Sequence, residues 1–486
     1  MLQTRNGNKL AASRTLIKNV AVIGAGPVGL AAAAHLIERG ITPMVFEARS
    51  DVAANMASFD HVKLFSPWQY NLDAAAVRLL SSSGWQSPDA EALPTARQII
   101  DEYLKPLSQL PKMVDAIHFN HQVIAVARQQ ADKVKTSGRE TQPYVVRTQT
   151  PQGIEEYLVS AVIDASGTWQ NPNPMGSNGL PALGEVAMQS RISYGMPDIL
   201  GAQQSRFANQ SVLVLGSGHS ALGNLLNLVQ LVEVYPDTRV TWAVRGDGSQ
   251  DQLKRIFGGG DKDQLAARGK LGKSLQELLQ AQRIRLVTGF RARAVLSQAN
   301  GQITLDGYDA SQIEDVDQII VSTGARPQWD MHRELRLSLD TLLECSAELS
   351  TLIDPNQHSC GTVPPHGHKE LAHPEANFYA IGAKSYGRAP NFLMATGYEQ
   401  ARSVVAALAQ DWQAADDVKL NLPQTGVCET DFNPGGGACC GGQATEGVDA
   451  EAKAAGESGC GCDSVPADKS SGGVVRGQTS AKSCCG

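Results

Sequence analysis

Asn19-Val20-Ala21-Val22-Ile23-Gly24-Ala25-Gly26-Pro27-Val28-Gly29 runs from a largely apolar pentapeptide straight into three glycines spaced G-x-G-x-x-G. The apolar run predicts a buried parallel strand, and the alanine-rich sequence up to Arg39 predicts a helix that Gly40 stops. A second strand, Pro43 to Phe46, ends at Glu47, 23 residues after Gly24. Strand, glycine turn, helix, strand and acid, in that order, form a dinucleotide-binding unit. Gly24 permits the tight turn, Gly26 lets backbone N–H groups approach a diphosphate, Gly29 lets helix and strand pack closely, and Glu47 is expected to accept from a ribose hydroxyl.

The pattern recurs. Ser211 to Leu215 lead into Gly216-Ser217-Gly218-His219-Ser220-Ala221, a helix to about Val234 and a strand from Arg239 to Val244. This copy ends in Arg245 instead of an acid. An arginine there pairs with a 2′-phosphate, so the second site is expected to prefer NADP(H), with Gly216, Gly218 and Ser220 at the diphosphate. Each copy is followed by an apolar strand with a small-residue turn, Ala161 to Gly167 and Ile319 to Gly324. A late strand, Phe378 to Gly382, returns to the first unit, so the second domain is expected to be inserted in the first. The fold class is therefore α/β, with two Rossmann-like domains. Residues 1–17 are expected to be disordered, 18–205 and 328–412 to form the two parts of the first domain, 206–327 the second domain, and 413–486 a flexible tail. From Gly426 onward the chain has no Leu, Ile or Met and a single aromatic, Phe432, which is too little apolar surface to order it.

Composition narrows the function. With 42 Lys+Arg against 49 Asp+Glu the net charge is −7, and no basic block exists to neutralise a run of phosphates, so nucleic acid is not an expected partner. No window is long and apolar enough for a membrane span. Arg5, Lys9, Arg14 and Lys18 ahead of the apolar run to Ala34 imitate a secretion signal, but cleavage there would destroy the glycine turn. Cysteines are absent before Cys345, and seven of nine fall in the last 59 residues: Cys428, Cys439, Cys440, Cys460, Cys462, Cys484 and Cys485. An odd count with adjacent pairs is not a secreted disulfide framework, and a reducing cytoplasm is the expected location.

Two dinucleotide folds, a small-Gly strand end after each, and a late Gly-containing strand followed by a helix resemble the two-domain FAD/NADPH flavoproteins, thioredoxin reductase-like enzymes and flavin-containing monooxygenases among them. The resemblance covers about residues 18–412. It implies FAD on Gly24, Gly26, Gly29 and Glu47, with Gly167 and Gly382 at the neighbouring strand ends, and NADPH on Gly216, Gly218, Ser220, Arg245 and Gly324. It also implies that the helix opened by Met394-Ala395-Thr396-Gly397 faces the N1/O2 edge of the flavin, where negative charge develops on reduction. Trp68 and Trp169 are candidate walls of the ring, with core packing as the equal alternative. The segments His61 to Trp68, Asp164 to Trp169, His358 to Val363 and Lys384 to Pro390 are more narrowly similar to flavin monooxygenases of bacterial arsenic-resistance operons. The sequence departs from the larger monooxygenases in having no His between Gly184 and Tyr194, and from thioredoxin reductases in having Gly382-Ala383 where those have Gly-Asp.

A flavin reduced by NADPH passes electrons to a disulfide or to dioxygen, among other acceptors. No CxxC or CxxxxC occurs, which favours dioxygen. The expected sequence is hydride transfer to flavin N5, addition of dioxygen to give a flavin hydroperoxide, and attack by a soft lone-pair donor; the cofactor does this chemistry, and no catalytic base is assigned. Arsenite, methylarsenite and antimonite fit as donors. Soft thiolates favour soft metalloids, so the tail cysteines and Cys360 are the candidate ligands. His358, His366, His368 and His373 flank Cys360, but their spacing matches no standard zinc set. The competing readings are a disulfide or metal-ion reductase, a metalloid-binding protein on a flavoprotein scaffold, and a monooxygenase of organic amines or sulfides. The expected partners are a trivalent arsenical and dioxygen, and assembly into a homo-oligomer is compatible with the sequence.

Overall fold

The computed structural model describes residues 17–258, 263, 265–357 and 363–420, and their strands form two parallel and two antiparallel sheets. In chain order the strands are β1 (Asn19–Ile23), β2 (Thr42–Phe46), β3 (Ile117–His118), β4 (Gln122–Arg128), β5 (Tyr144–Thr150), β6 (Gly153–Val159), β7 (Ala161–Asp164) and β8 (Ile192–Tyr194). They continue as β9 (Ser211–Leu215), β10 (Arg239–Ala243), β11 (Arg285–Val287), β12 (Ala292–Ser297), β13 (Ile303–Gly307), β14 (Gln312–Val316), β15 (Gln318–Val321) and β16 (Phe378–Ala380). The first parallel sheet has the order β16-β7-β1-β2-β3 and the second β11-β10-β9-β15-β8. Antiparallel meanders, β4-β5-β6 and β12-β13-β14, follow β3 and β11 in the chain.

Every strand of the second sheet lies between β7 and β16, so the second dinucleotide fold is inserted in the first, as the repeat predicts. The outgoing and returning linkers pair with each other at Pro172 and Ala325. The fifth strand of the first sheet, β16, comes from beyond the insertion. That of the second, β8, pairs with β15 and precedes residue 206, which corrects the expected boundary there. Three residues, Ile192-Ser193-Tyr194, are too few for periodicity to reveal a strand.

The register explains where the cofactor crevices fall. Ile23 lies opposite Phe46 on one side and Asp164 on the other, so Gly24, Glu47 and Ala165 emerge together at the carboxyl edge. Leu215 lies between Ala243 and Val321, which places Gly216, Val244 and Ser322 in the corresponding position. In open α/β sheets ligands bind at this edge. Behind it, the helix Pro27–Glu38 buries Leu30, the alanines 31 to 34 and Leu36 against the helix Met394–Leu408, whose Val404, Val405 and Leu408 face the same core. The short alanine side chains allow this close approach.

The expected tail boundary is also corrected. Residues 412 to 416 form a helix capped by the Asp411 carboxylate, with Ala415 fully buried, so packed structure extends past residue 412. Residues 1–16 and 421–486, on which the disorder predictions fall, lie outside the described residues. No helix among those described is long and apolar enough to cross a membrane.

Sequence reading missed the link between the first meander and the segment that leads into β16. Glu375, just before β16, accepts from Arg128 Nε at 2.7 Å and from Arg139 Nη2 at 2.8 Å, and all three side chains are almost fully buried. Arg128 Nη2 also donates to Tyr144 Oη at 2.9 Å and to the Ala376 carbonyl at 2.7 Å.

Candidate functional site

At the first crevice Gly24 has φ +98°, a conformation that favours glycine, and its N–H donates to the Phe46 carbonyl at 2.8 Å. A Cβ on Gly29 would collide with the Gly24 carbonyl oxygen, whereas one on Gly26 would meet nothing within 4 Å. The turn is thus tight below and open above, as a diphosphate cradle requires. Pro27 begins the helix and no side chain caps it, leaving its first N–H groups for an anion. Glu47, 8% exposed, accepts from the N–H of Ala25 at 2.9 Å and of Arg49 at 3.0 Å. Each oxygen retains a lone pair, and the carboxylate is fixed to the turn it would serve with. Gly29→Ala is expected to cost about 1–3 kcal/mol of stability and to weaken FAD binding, read by thermal unfolding and titration with FAD. Unchanged FAD affinity would show that this close approach does not shape the site.

Across the crevice, β7 ends in a buried ionic cluster. Asp164 Oδ2 lies 2.6 Å from Lys384 Nζ and 3.2 Å from His332 Nε2, and Lys384 also donates to Ser166 Oγ at 3.1 Å. Burial pushes the Asp164 carboxyl up, but the Lys384 ammonium and the bond from Ser166 outweigh it and hold the group below the usual carboxylate range. Burial drives His332 down to about 3, so it is neutral. Lys384 therefore fixes Ser166, whose Cα would be 3.2 Å from a Cβ on Gly24. Gly167 has φ +72° and open space at its Cβ position.

Gly382, φ +71°, donates to Gln400 Oε1 at 2.8 Å and faces Val28. The helix Met394–Leu408 begins beside it with no side-chain cap. A Cβ on Gly397 is hypothetical space 2.9 Å from Phe392 Cζ and 3.4 Å from Gly382 Cα. Thr396 is 1% exposed and its Oγ1 has no hydrogen-bond partner among the described residues. An orphaned buried hydroxyl on an uncapped helix N-terminus beside the glycine turn fits a polar cofactor edge.

Of its two readings, Trp68 takes the core one. At 2% exposure it sits in the hydrophobic core and presents almost no surface to a crevice. Trp169 stays partly exposed; its Nε1 donates to Ser58 Oγ at 2.7 Å and its ring lies 4.5 Å from that of Phe59.

At the second crevice Gly216 has φ +127°, and a Cβ there would collide with the Ser322 carbonyl oxygen. The Cβ position of Gly218 is open, and the helix His219–Val234 that follows has no side-chain cap. Ser220 is half-buried in its first turn. Trp242 Nε1 holds the Gly216 carbonyl at 2.7 Å, and Gly324, φ +85°, closes the far strand end beside Asn173. Arg245 is exposed just past the end of β10.

Cys360, Cys428, Cys439, Cys440, Cys460, Cys462, Cys484 and Cys485 lie outside the described residues. Within those described no group of three His, Cys, Asp or Glu side chains could hold a metal. His366, His368 and His373 are instead committed to packing and hydrogen bonds: His366 Nδ1 meets the Pro364 carbonyl at 3.0 Å, His368 Nε2 meets Asp416 at 2.8 Å, and His373 Nδ1 accepts from Ser338 N–H at 3.3 Å.

The family described as pyridine nucleotide-disulphide oxidoreductase matches residues 21–344. The flavin-containing monooxygenase FMO GS-OX-like 2 of Arabidopsis thaliana is 23% identical over 249 residues, 47% of this chain and 50% of its own. Flavin-containing monooxygenase 1 of Mus musculus is 28% identical over 209 residues, 42% of this chain and 37% of its own. The chain thus spans half or less of the length of these relatives. Among solved structures, the bacillithiol disulfide reductase of Bacillus cereus has a TM-score of 0.59 at 17% identity, covering 81% of this chain and 99% of that one. The cadaverine monooxygenase DfoA of Erwinia amylovora, bound to FAD, has a TM-score of 0.57 at 13% identity, covering 84% and 97%. Reductase and oxygenase share this fold, which alone does not choose between them.

Proposed function

The chain belongs to the pyridine nucleotide-disulphide oxidoreductase family, and from that premise we propose that it is an FAD- and NADPH-dependent monooxygenase that oxidises trivalent arsenicals to their pentavalent forms. The observation that carries oxygen over a dithiol route is the state of the thiol. Cys345, the single cysteine among the described residues, is fully buried, and burial pushes its thiol up to about 12. Such a thiol is no redox partner for a flavin. The choice of arsenite, methylarsenite or antimonite rests on the soft thiolates at Cys439-Cys440, Cys460-x-Cys462 and Cys484-Cys485 and on the arsenic-operon resemblance. Those thiolates, with Cys428 and Cys360, are the proposed metalloid ligands, and the cytoplasm the proposed location.

When bound, FAD supplies the redox chemistry, accepting hydride from NADPH and delivering electrons to dioxygen. The chain's own part is binding and orientation. Glu47 would accept from the FAD ribose, the turn from Gly24 to Gly29 would take its diphosphate, and Thr396 Oγ1 with the N–H groups behind it would donate to the flavin edge. Gly216, Gly218 and Ser220 would seat the NADPH diphosphate, and Arg245 its 2′-phosphate. Arg245→Ala is expected to weaken NADPH binding about ten-fold, the loss of one charge-assisted contact, while NADH binding stays the same. Equal losses for both nucleotides would remove the 2′-phosphate role.

The direct test uses the purified holoenzyme. NADPH consumption and dioxygen uptake are followed with and without methylarsenite and arsenite, while As(III) and As(V) are separated by chromatography. Substrate-dependent As(V) in step with dioxygen uptake is the expected result. NADPH oxidation that yields only hydrogen peroxide, whatever arsenical is added, would overturn the substrate and leave an organic sulfide or amine.

A further inference from the structure

One aromatic side chain of the first half reaches the nucleotide turn of the second. The loop from His61 to Asn71 is pinned on all sides. Leu64 N–H donates to the Pro94 carbonyl at 2.8 Å and Trp68 N–H to the Ala92 carbonyl at 3.0 Å. Asn71 Nδ2 donates to the carbonyls of Ser66 at 2.7 Å and Pro67 at 2.9 Å, and Tyr398 Oη, from the helix Met394–Leu408, donates to the Asn71 carbonyl at 2.9 Å. Ser66 and Trp68 are buried, whereas Phe65 between them and Leu64 is partly exposed. Its ring centroid lies 5.2 Å from that of His219, the first residue of the helix after Gly218. The Arg268 guanidinium lies 5.7 Å from the same ring and is neutralised by a bidentate pair with Asp263, both bonds 2.7 Å. Aromatic rings at this spacing attract beyond simple burial, and a guanidinium over a ring face adds to it.

We propose that Phe65 is a positioning residue for the second dinucleotide: by holding the His219 ring to one side, it keeps the N–H groups at Gly218–Ser220 clear to receive the diphosphate. This rests on the reading of that turn as the NADPH site. Three observations converge on it. The loop is rigid, so the Phe65 contact is set before the ligand arrives, which is how preorganisation gains affinity. The Phe65 ring meets the second half at His219 and Arg268, both beside the nucleotide turn, so its effect is directed there. The Arg268 charge is already cancelled by Asp263, so it steadies the ring without competing for the phosphates.

The test is equilibrium binding of NADP⁺ to oxidised, FAD-loaded protein by calorimetry, which needs no turnover. Phe65→Ala is expected to weaken NADP⁺ about ten-fold with FAD content retained, and Phe65→Tyr to restore most of the affinity. His219→Ala alone should leave the affinity near that of the parent, and adding it to Phe65→Ala should restore most of the loss, because the ring that Phe65 holds aside is then gone. NADP⁺ affinity within two-fold of the parent in Phe65→Ala, or strictly additive losses in the double variant, would overturn the role of Phe65. Failure of the parent protein itself to bind NADP⁺ or 2′,5′-ADP would instead overturn the NADPH site on which the inference rests.

Discussion

Glu375→Ala is expected to lower the free energy of unfolding by about 3–5 kcal/mol, the range for removing one partner from a buried ion pair. The carboxylate stands between Arg128 and Arg139, whose side chains are 2% and 3% exposed. Burial works against its charge, but bonds from Arg139, Arg336 N–H and Arg128 prevail and keep it ionised. Without it, two guanidiniums stay buried with only carbonyls and the Tyr144 hydroxyl for partners. The effect should also be local in origin: the β4-β5-β6 meander is tied to β16 by this residue, so amides of β4 and β5 should lose hydrogen-exchange protection first. Glu375→Gln, which keeps one acceptor, should cost less than the alanine. Urea unfolding of the three proteins measures this, and a loss under about 1 kcal/mol for the alanine variant would show that the carbonyls alone satisfy both arginines.

Stability is expected to fall steeply on acidification below pH 6.5, before the carboxylates titrate. Burial lowers His332 to about 3 and His373 to about 4, against an ordinary value of 6.5. The unfolded chain therefore binds more protons than the native one below 6.5. The contribution of each histidine is complete above that pH and is lost as pH falls towards the native values. Between pH 7.5 and 5 each costs about 2 kcal/mol, so together about 4 kcal/mol. Asp164 and Glu375, held below their ordinary 3.8 and 4.5, act the same way but mainly below pH 5. Unfolding free energies at pH 7.5, 6.0 and 5.0 separate the two. His373→Gln should flatten the slope by about one proton; an unchanged slope would mean that the histidine gains a proton in the native state as readily as in the unfolded chain.

What was legible in the sequence was local. The two glycine turns, the strands on either side and the terminal Glu47 and Arg245 lie within about thirty residues of each other, the span of one strand-helix-strand unit, and their backbone demands leave no other residue types at Gly24, Gly29 or Gly216. The insertion followed from counting the copies. What was not legible depends on partners far away in the chain. Glu375 meets Arg128 across 247 positions and Lys384 meets Ser166 across 218, with no spacing rule to connect them. Trp68 shows the converse: an aromatic next to a suspected site is as readily core as lining, and only burial decides between the two readings. Phe65 carries no motif at all, and only the folding of its loop against the second half gives it a role.

The pairing of Pro172 with Ala325 means that the two ends of the inserted stretch leave and rejoin the chain at one point. Residues 173 to 324 contain β8, β9, β10, β11 and β15, a whole sheet, and none of the strands of the other. They behave as a cassette with a single pair of adjoining seams. Such a unit is exchanged at little loop-closure cost, because its host sees the same gap whether the stretch is long, short or missing. The second glycine turn is thus carried on a replaceable part, while the sheet that receives it keeps its own last strand, β16, on the far side of the seam.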